Sequence, residues 1–80
     1  MQFSSALALR IKTLCHERKI SIHKLSEMSG LPESTVRSFI NGKVKAPRFD
    51  TIYKISTGLG LTLAEFFDFK EMNEIGYFED

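Results

Sequence analysis

Residues 21–43, SIHKLSEMSGLPESTVRSFINGK, narrow the possible folds more than any other stretch of the chain. Two short amphipathic helices are predicted there, meeting at Ser29-Gly30 and ending at Asn41-Gly42. Leu25, Leu31, Val36 and Ile40 are apolar. Glu33, Ser34, Arg37, Ser38 and Asn41 fall on the opposite face of the second helix by the 3.6-residue period. Ser21 is a good N-cap, and Ile20 and Leu25 occupy the N′ and N4 positions of a hydrophobic staple. Gly30 can take the left-handed conformation that a tight turn between helices requires. Pro32 suits a first helical position because its missing N–H is no loss there, and Glu33 suits the positive end of the dipole.

The flanking sequence reads as helix throughout. Leu7, Ile11, Leu14 and Cys15 place an apolar stripe on a first helix over 4–18, closed by the positive charge of Lys19. After the second pair, Lys43 to Pro47 is a basic loop, extended before its proline. Phe49, Ile52, Tyr53, Ile55 and Leu59 predict a fourth helix ending at Gly58-Leu59-Gly60. Thr62 and Glu65 form a capping box for a short fifth helix carrying Leu63, Phe66 and Phe67. The sequence has no strand pattern, no internal repeat and no low-complexity run. The expected architecture is all-α: five helices with short loops, in a body over residues 1–68, followed by an acidic, aromatic extension over 69–80. Phe66, Phe67 and Phe69 are expected to complete the core. Tyr77 and Phe78 are expected either to fold back or to cover a partner.

Composition removes several classes. Eighty residues support one domain with one modest core, and a hydrophobic fraction of 42% is enough to fold it. No window holds eighteen uncharged apolar residues, so no membrane span is expected. MQFSSALALR lacks the basic leader of a signal peptide, and a single cysteine fits a reducing, cytoplasmic setting. Cys15, His16 and His23 match no zinc-ligand spacing, so no metal or other cofactor is expected, and Cys15 reads as a small core residue. No nucleophile–histidine–carboxylate arrangement and no phosphate-cradling glycine loop argues for an enzyme.

Charge points the other way, towards a ligand. From Arg10 to Arg48 there are nine Lys/Arg against three Glu, a balance of +6. From Phe49 to Asp80 there are two Lys against seven acids, a balance of −5. The basic part coincides with the helix pair, which is the electrostatic footprint of a face that meets phosphate. Two ordinary solvated surfaces would give the same count, so charge alone does not decide. A helix pair whose second member carries a polar outer face is what a helix-turn-helix needs, because that helix must lie in the major groove and offer donors and acceptors.

RIKTL, KLSEMSGL, STVRSFINGK, KAPRF and TIYKISTGLGLTLAEFF, in that order, resemble the Cro/C1-type helix-turn-helix family of phage repressors and small bacterial regulators. The resemblance covers about three quarters of the chain, from Leu9 to Asp68. It implies a lambda-repressor-like domain with the helix-turn-helix in helices 2 and 3, and a recognition helix over Pro32 to Asn41. It implies that Glu33, Ser34, Arg37 and Ser38 read base edges. Ser21 and Ile22, at a helix N-terminus, would approach phosphate, as would Asn41, Lys43 and Lys45. Arg48 matches a position that reaches towards the minor groove in some phage repressors. Two positions depart from the family pattern. Cys15 and Ile40 stand where many members carry a buried Arg–Glu pair, and are expected to pack together. Pro32-Glu33 stands where Ser/Thr and neutral or basic residues are more usual, and a carboxylate there is repelled by phosphate unless it accepts from a cytosine amino group.

The expected function is that of a sequence-specific double-stranded-DNA-binding transcriptional regulator, a repressor, working as a homodimer at least on DNA. Arg37 has two alternatives, a contact with DNA or an ion pair with Glu33 one turn away. The competing reading is an antitoxin-like or adaptor module that binds a partner protein through its C-terminal segment.

Overall fold

The computed structural model describes residues 2–75. Among them are six helices and no strand: α1 (Phe3–Arg18), α2 (Ile22–Ser29), α3 (Glu33–Ile40), α4 (Phe49–Gly58), α5 (Leu63–Phe67) and α6 (Lys70–Ile75). α1 packs on α3 and α6, α2 on α3 and α4, and α4 on α5.

The core forms where these faces meet. Leu7, Ile11 and Leu14 of α1 share one buried cluster with Leu25, Val36, Phe39, Ile52, Ile55, Leu59 and Phe66. Cys15 and Ile40, 8% and 9% exposed, belong to the same cluster, in keeping with an apolar replacement for a buried ion pair. Burial pushes the Cys15 thiol above its ordinary range, which keeps it protonated and unreactive at neutral pH.

Helix ends follow the local chemistry. Ser21 caps α2 by accepting from the Lys24 N–H at 3.0 Å. Thr62 and Glu65 form the expected capping box, with bonds of 2.8 and 3.0 Å. α1, α2, α3 and α4 each run out into a left-handed residue: Lys19, Gly30, Gly42 and Gly60. In all four the next residue's N–H returns to a carbonyl five positions back, the 6→1 bond of a Schellman motif (Ile20 to Cys15, Leu31 to Ser26, Lys43 to Ser38, Leu61 to Ser56).

Two expectations are corrected, and the apolar residues of α4 divide between core and surface. Pro32 is the N-cap of α3 rather than its first residue: its ψ of 144° is extended, so the helix begins at Glu33. Phe49 and Tyr53, two of the residues from which α4 is predicted, are 63% and 52% exposed. The buried stripe of α4 is Ile52, Ile55 and Ser56, continued by Leu59, and the two aromatics lie one turn apart off its edge. Among the described residues the helix count is six rather than five, because Lys70–Ile75 form a further helix against α1. Six residues are too few to show a period or to hold a helix unaided. Packing of Met72 on the core and of Phe69 under Arg10 supplies what the sequence pattern lacked. Phe66 is fully buried as expected, Phe67 and Phe69 only partly, while Tyr77 and Phe78 lie outside the described residues.

α2 and α4 approach closely at Gly58. A Cβ placed there would meet Ser29 Oγ at 2.7 Å and the Met28 carbonyl oxygen at 2.8 Å, so α2 and α4 touch backbone to backbone. Ser29 Oγ, buried in this contact, has no hydrogen-bond partner among the described residues.

Candidate nucleic-acid interface

α3 is divided along its length by burial. Val36, Phe39 and Ile40 are buried against α1 and α2. Glu33, Ser34, Arg37 and the capping residue Asn41 are exposed on one face, with Ser38 half-buried at its edge. The sequence-predicted base-reading set therefore lies together. Its groups are not all free, however. Arg37 Nη2 donates to Glu33 Oε1 at 3.3 Å, so the ion-pair alternative holds in the isolated chain. Ser38 Oγ donates to the Ser34 carbonyl at 2.9 Å, which leaves its oxygen lone pairs outward.

The loop after α3 continues this face. Gly42 turns the chain, and Lys43 and Lys45 follow, exposed and without an ion-pair partner among the described residues. Val44 between them is tucked against the core, which fixes the loop while its neighbours point away. Arg48 is exposed too, but its fork is occupied: Nε and Nη2 donate to Asp50 Oδ1 and Oδ2 at 3.0 and 3.2 Å. This hydrogen bonding holds the Asp50 carboxyl below the ordinary carboxylate range and raises Arg48 above its own. Asp50 was not anticipated as part of the site. Its signal in the sequence was an acidic residue in the first turn of α4, two positions after an arginine.

At the start of α2, Ser21 is exposed and engaged as a cap, and Ile22 is half-buried on the core. The backbone N–H groups of this first turn, rather than the side chains, are what the site offers an anion. The structure adds one basic residue: Lys12 of α1 and Asn41 line the same shallow groove between α1 and the end of α3.

Two members of the basic excess leave the site altogether. Arg10 donates through Nε to the Phe66 carbonyl and through Nη2 to that of Glu65, both at 2.8 Å, with its guanidinium 5.1 Å from the Phe69 ring centre. Arg18 Nη1 donates to the Leu59 carbonyl. Both reach carbonyls where helices α5 and α4 end, which the macrodipole favours; the Glu65 carbonyl also accepts the Asp68 N–H, while those of Phe66 and Leu59 depend on the arginines. They are structural cations.

A body of packed helices with a polar, basic face on α3 and its following loop is the form of a DNA-binding domain. The chain belongs to the Cro/C1-type HTH DNA-binding domain family, whose model matches residues 10–71. Comparison with curated proteins and with solved structures gives no match. Among the described residues no helix is long and apolar enough to cross a membrane, and no group of three or more His, Cys, Asp or Glu could hold a metal ion.

Proposed function

We propose that this DNA-binding domain is a sequence-specific transcriptional repressor of cytoplasmic setting. α2 and α3, joined by Gly30, Leu31 and Pro32, act as its helix-turn-helix, with α3 in the major groove of double-stranded DNA. The observation that carries the reading is the exposed face of Glu33, Ser34, Arg37 and Asn41, continued by exposed Lys43 and Lys45, on a helix whose other side is anchored in the core. Glu33, Ser34, Arg37 and Ser38 face base edges. Ser21, Ile22, Asn41, Lys43, Lys45 and Arg48, with Lys12 beside Asn41, line the path of the phosphates. Residues 1–68 make up the binding unit and 69–80 an extension whose first part, α6, is seated on α1. Two copies bind as a homodimer on a pseudo-palindrome, since one short recognition helix reads too few bases to define a site alone.

In vitro selection from a random duplex pool at about 0.15 M salt tests this. An enriched palindrome with half-sites about one helical turn apart is the expected result. Recovery of no preferred sequence overturns sequence specificity. Recovery of a single half-site overturns the dimer.

A further inference from the structure

Both arginines on the proposed DNA face are held by carboxylates, and both lysines of the loop are not. Arg37 is paired with Glu33 at 3.3 Å and Arg48 with Asp50 through both oxygens. Lys43 and Lys45 are exposed without such partners among the described residues. Each carboxylate sits in the first turn of its helix, Glu33 on α3 and Asp50 on α4, where the dipole also favours it.

We infer that Glu33 and Asp50 are specificity-determining residues: they hold Arg37 and Arg48 off DNA of generic sequence and release them only to the correct site. The inference rests on the DNA-binding reading above. A phosphate in an arbitrary complex attracts a lysine as a point charge with nothing to displace. To engage Arg48 it must break a two-pronged, charge-assisted pair and then lie beside the carboxylate it has displaced. Exposed pairs of this kind are weak enough to be exchanged. The exchange is favourable where the DNA offers an equal fork in the right place, a guanine edge or a phosphate held in register by the bases that α3 reads. Generic affinity is thereby left to the lysines, and the two carboxylates act against wrong sequences more than against the right one.

The test compares binding to a random-sequence duplex and to the selected operator, across a salt series. Asp50→Asn and Glu33→Gln are each made in the wild-type background and in the matching Arg48→Ala or Arg37→Ala background. Asp50→Asn and Glu33→Gln should each tighten random-duplex binding about two- to fivefold at low salt. Each should steepen the log–log salt slope by about 0.9 and lower the ratio of operator to random affinity. Glu74→Gln, which removes the same charge from the exposed Lys70–Glu74 pair of α6, controls for net charge and should do none of this. The gain should vanish when the partner arginine is alanine. An equal gain without the arginine, or no gain with it, overturns the inference while leaving DNA binding intact. Wild-type protein that shows no salt-dependent binding to any duplex overturns the DNA reading, and this inference with it.

Discussion

Arg10 and Arg18 differ from Arg37 and Arg48 in what receives them. The first two reach 56 and 41 residues along the chain to main-chain carbonyls at helix ends. The second two reach four and two residues to exposed carboxylates. A guanidinium on a partly buried carbonyl, as at Phe66 and Leu59, is part of the body, because removing it leaves that acceptor without its protein donor. A guanidinium on an exposed carboxylate contributes little to folding, and its use is to shape the charge that a ligand meets. The helix ends show the same contrast. After the left-handed residue, α1, α2 and α4 continue with Ile20, Leu31 and Leu61, all packed on the core. α3 alone continues with a charged residue, exposed Lys43. The regular pattern gives way on the proposed interface, as it does where function rather than stability selects the residue.

Breaking the structural side of this comparison should have the largest effect. Arg10→Ala removes two charge-assisted bonds and the contact with Phe69, and should lower stability by about 2–3 kcal/mol in urea denaturation. Arg10→Lys should recover only part of it, since an ammonium lacks the fork. An unchanged midpoint for Arg10→Ala would place Arg10 with the surface arginines instead. Gly58→Ala forces α2 and α4 apart at a 2.7 Å contact and should cost about 2 kcal/mol despite alanine's better helix propensity, again read by denaturation.

Thr62→Ala removes one side of the capping box and should cost about 1 kcal/mol. It should also change the acid side of the stability profile. The Thr62 backbone N–H, and then its side chain, hold the Glu65 carboxyl below its ordinary value of 4.5. A depressed carboxylate contributes stability that is present above that value and is lost as pH falls through the folded-state value. The variant keeps the backbone N–H and loses only the side-chain contribution, so thermal melting from neutral pH into that acid range should show a slightly smaller loss for it than for the wild type.

The helix-end contrast predicts smaller effects. Lys19 takes the left-handed conformation at φ 56° with a side chain, so Lys19→Gly should raise stability by about 0.5 kcal/mol. Lys43→Leu restores the apolar residue that the other three ends carry. It should leave stability unchanged or slightly higher while weakening DNA binding of every sequence, measured by titration of a labelled duplex. Smallest of all, Arg37→Ala and Arg48→Ala should leave the denaturation midpoint essentially where it is in the wild type. A loss for either that approaches the Arg10→Ala value would erase the distinction between the two sets.

Local chemistry was legible in the chain from the outset. Ser21, Gly30, Gly42 and the Thr62–Glu65 box act within one helical turn, so their residue types and spacing suffice to place them. Periodicity separated Val36 and Ile40 from Glu33, Ser34 and Arg37 for the same reason: which side of a helix is apolar is written every three or four residues. Counting charge was less informative. Nine basic residues between Arg10 and Arg48 look alike on paper, and nothing within a turn of Arg10 or Arg18 marks them as caps for distant helices.

The sequence by itself therefore determined the all-helical class, α1 to α5, the face that α3 turns outward and the cations available to it. Tertiary structure alone decided which cations the body uses, that Phe49 and Tyr53 stay outside, that Lys12 joins Asn41, and that Lys70–Ile75 become a sixth helix. The physical reason is one of range. Caps, turns and amphipathic faces are settled by neighbours along the chain. The partner of a long side chain, and the stability of a six-residue helix, depend on which surfaces the packing brings opposite them.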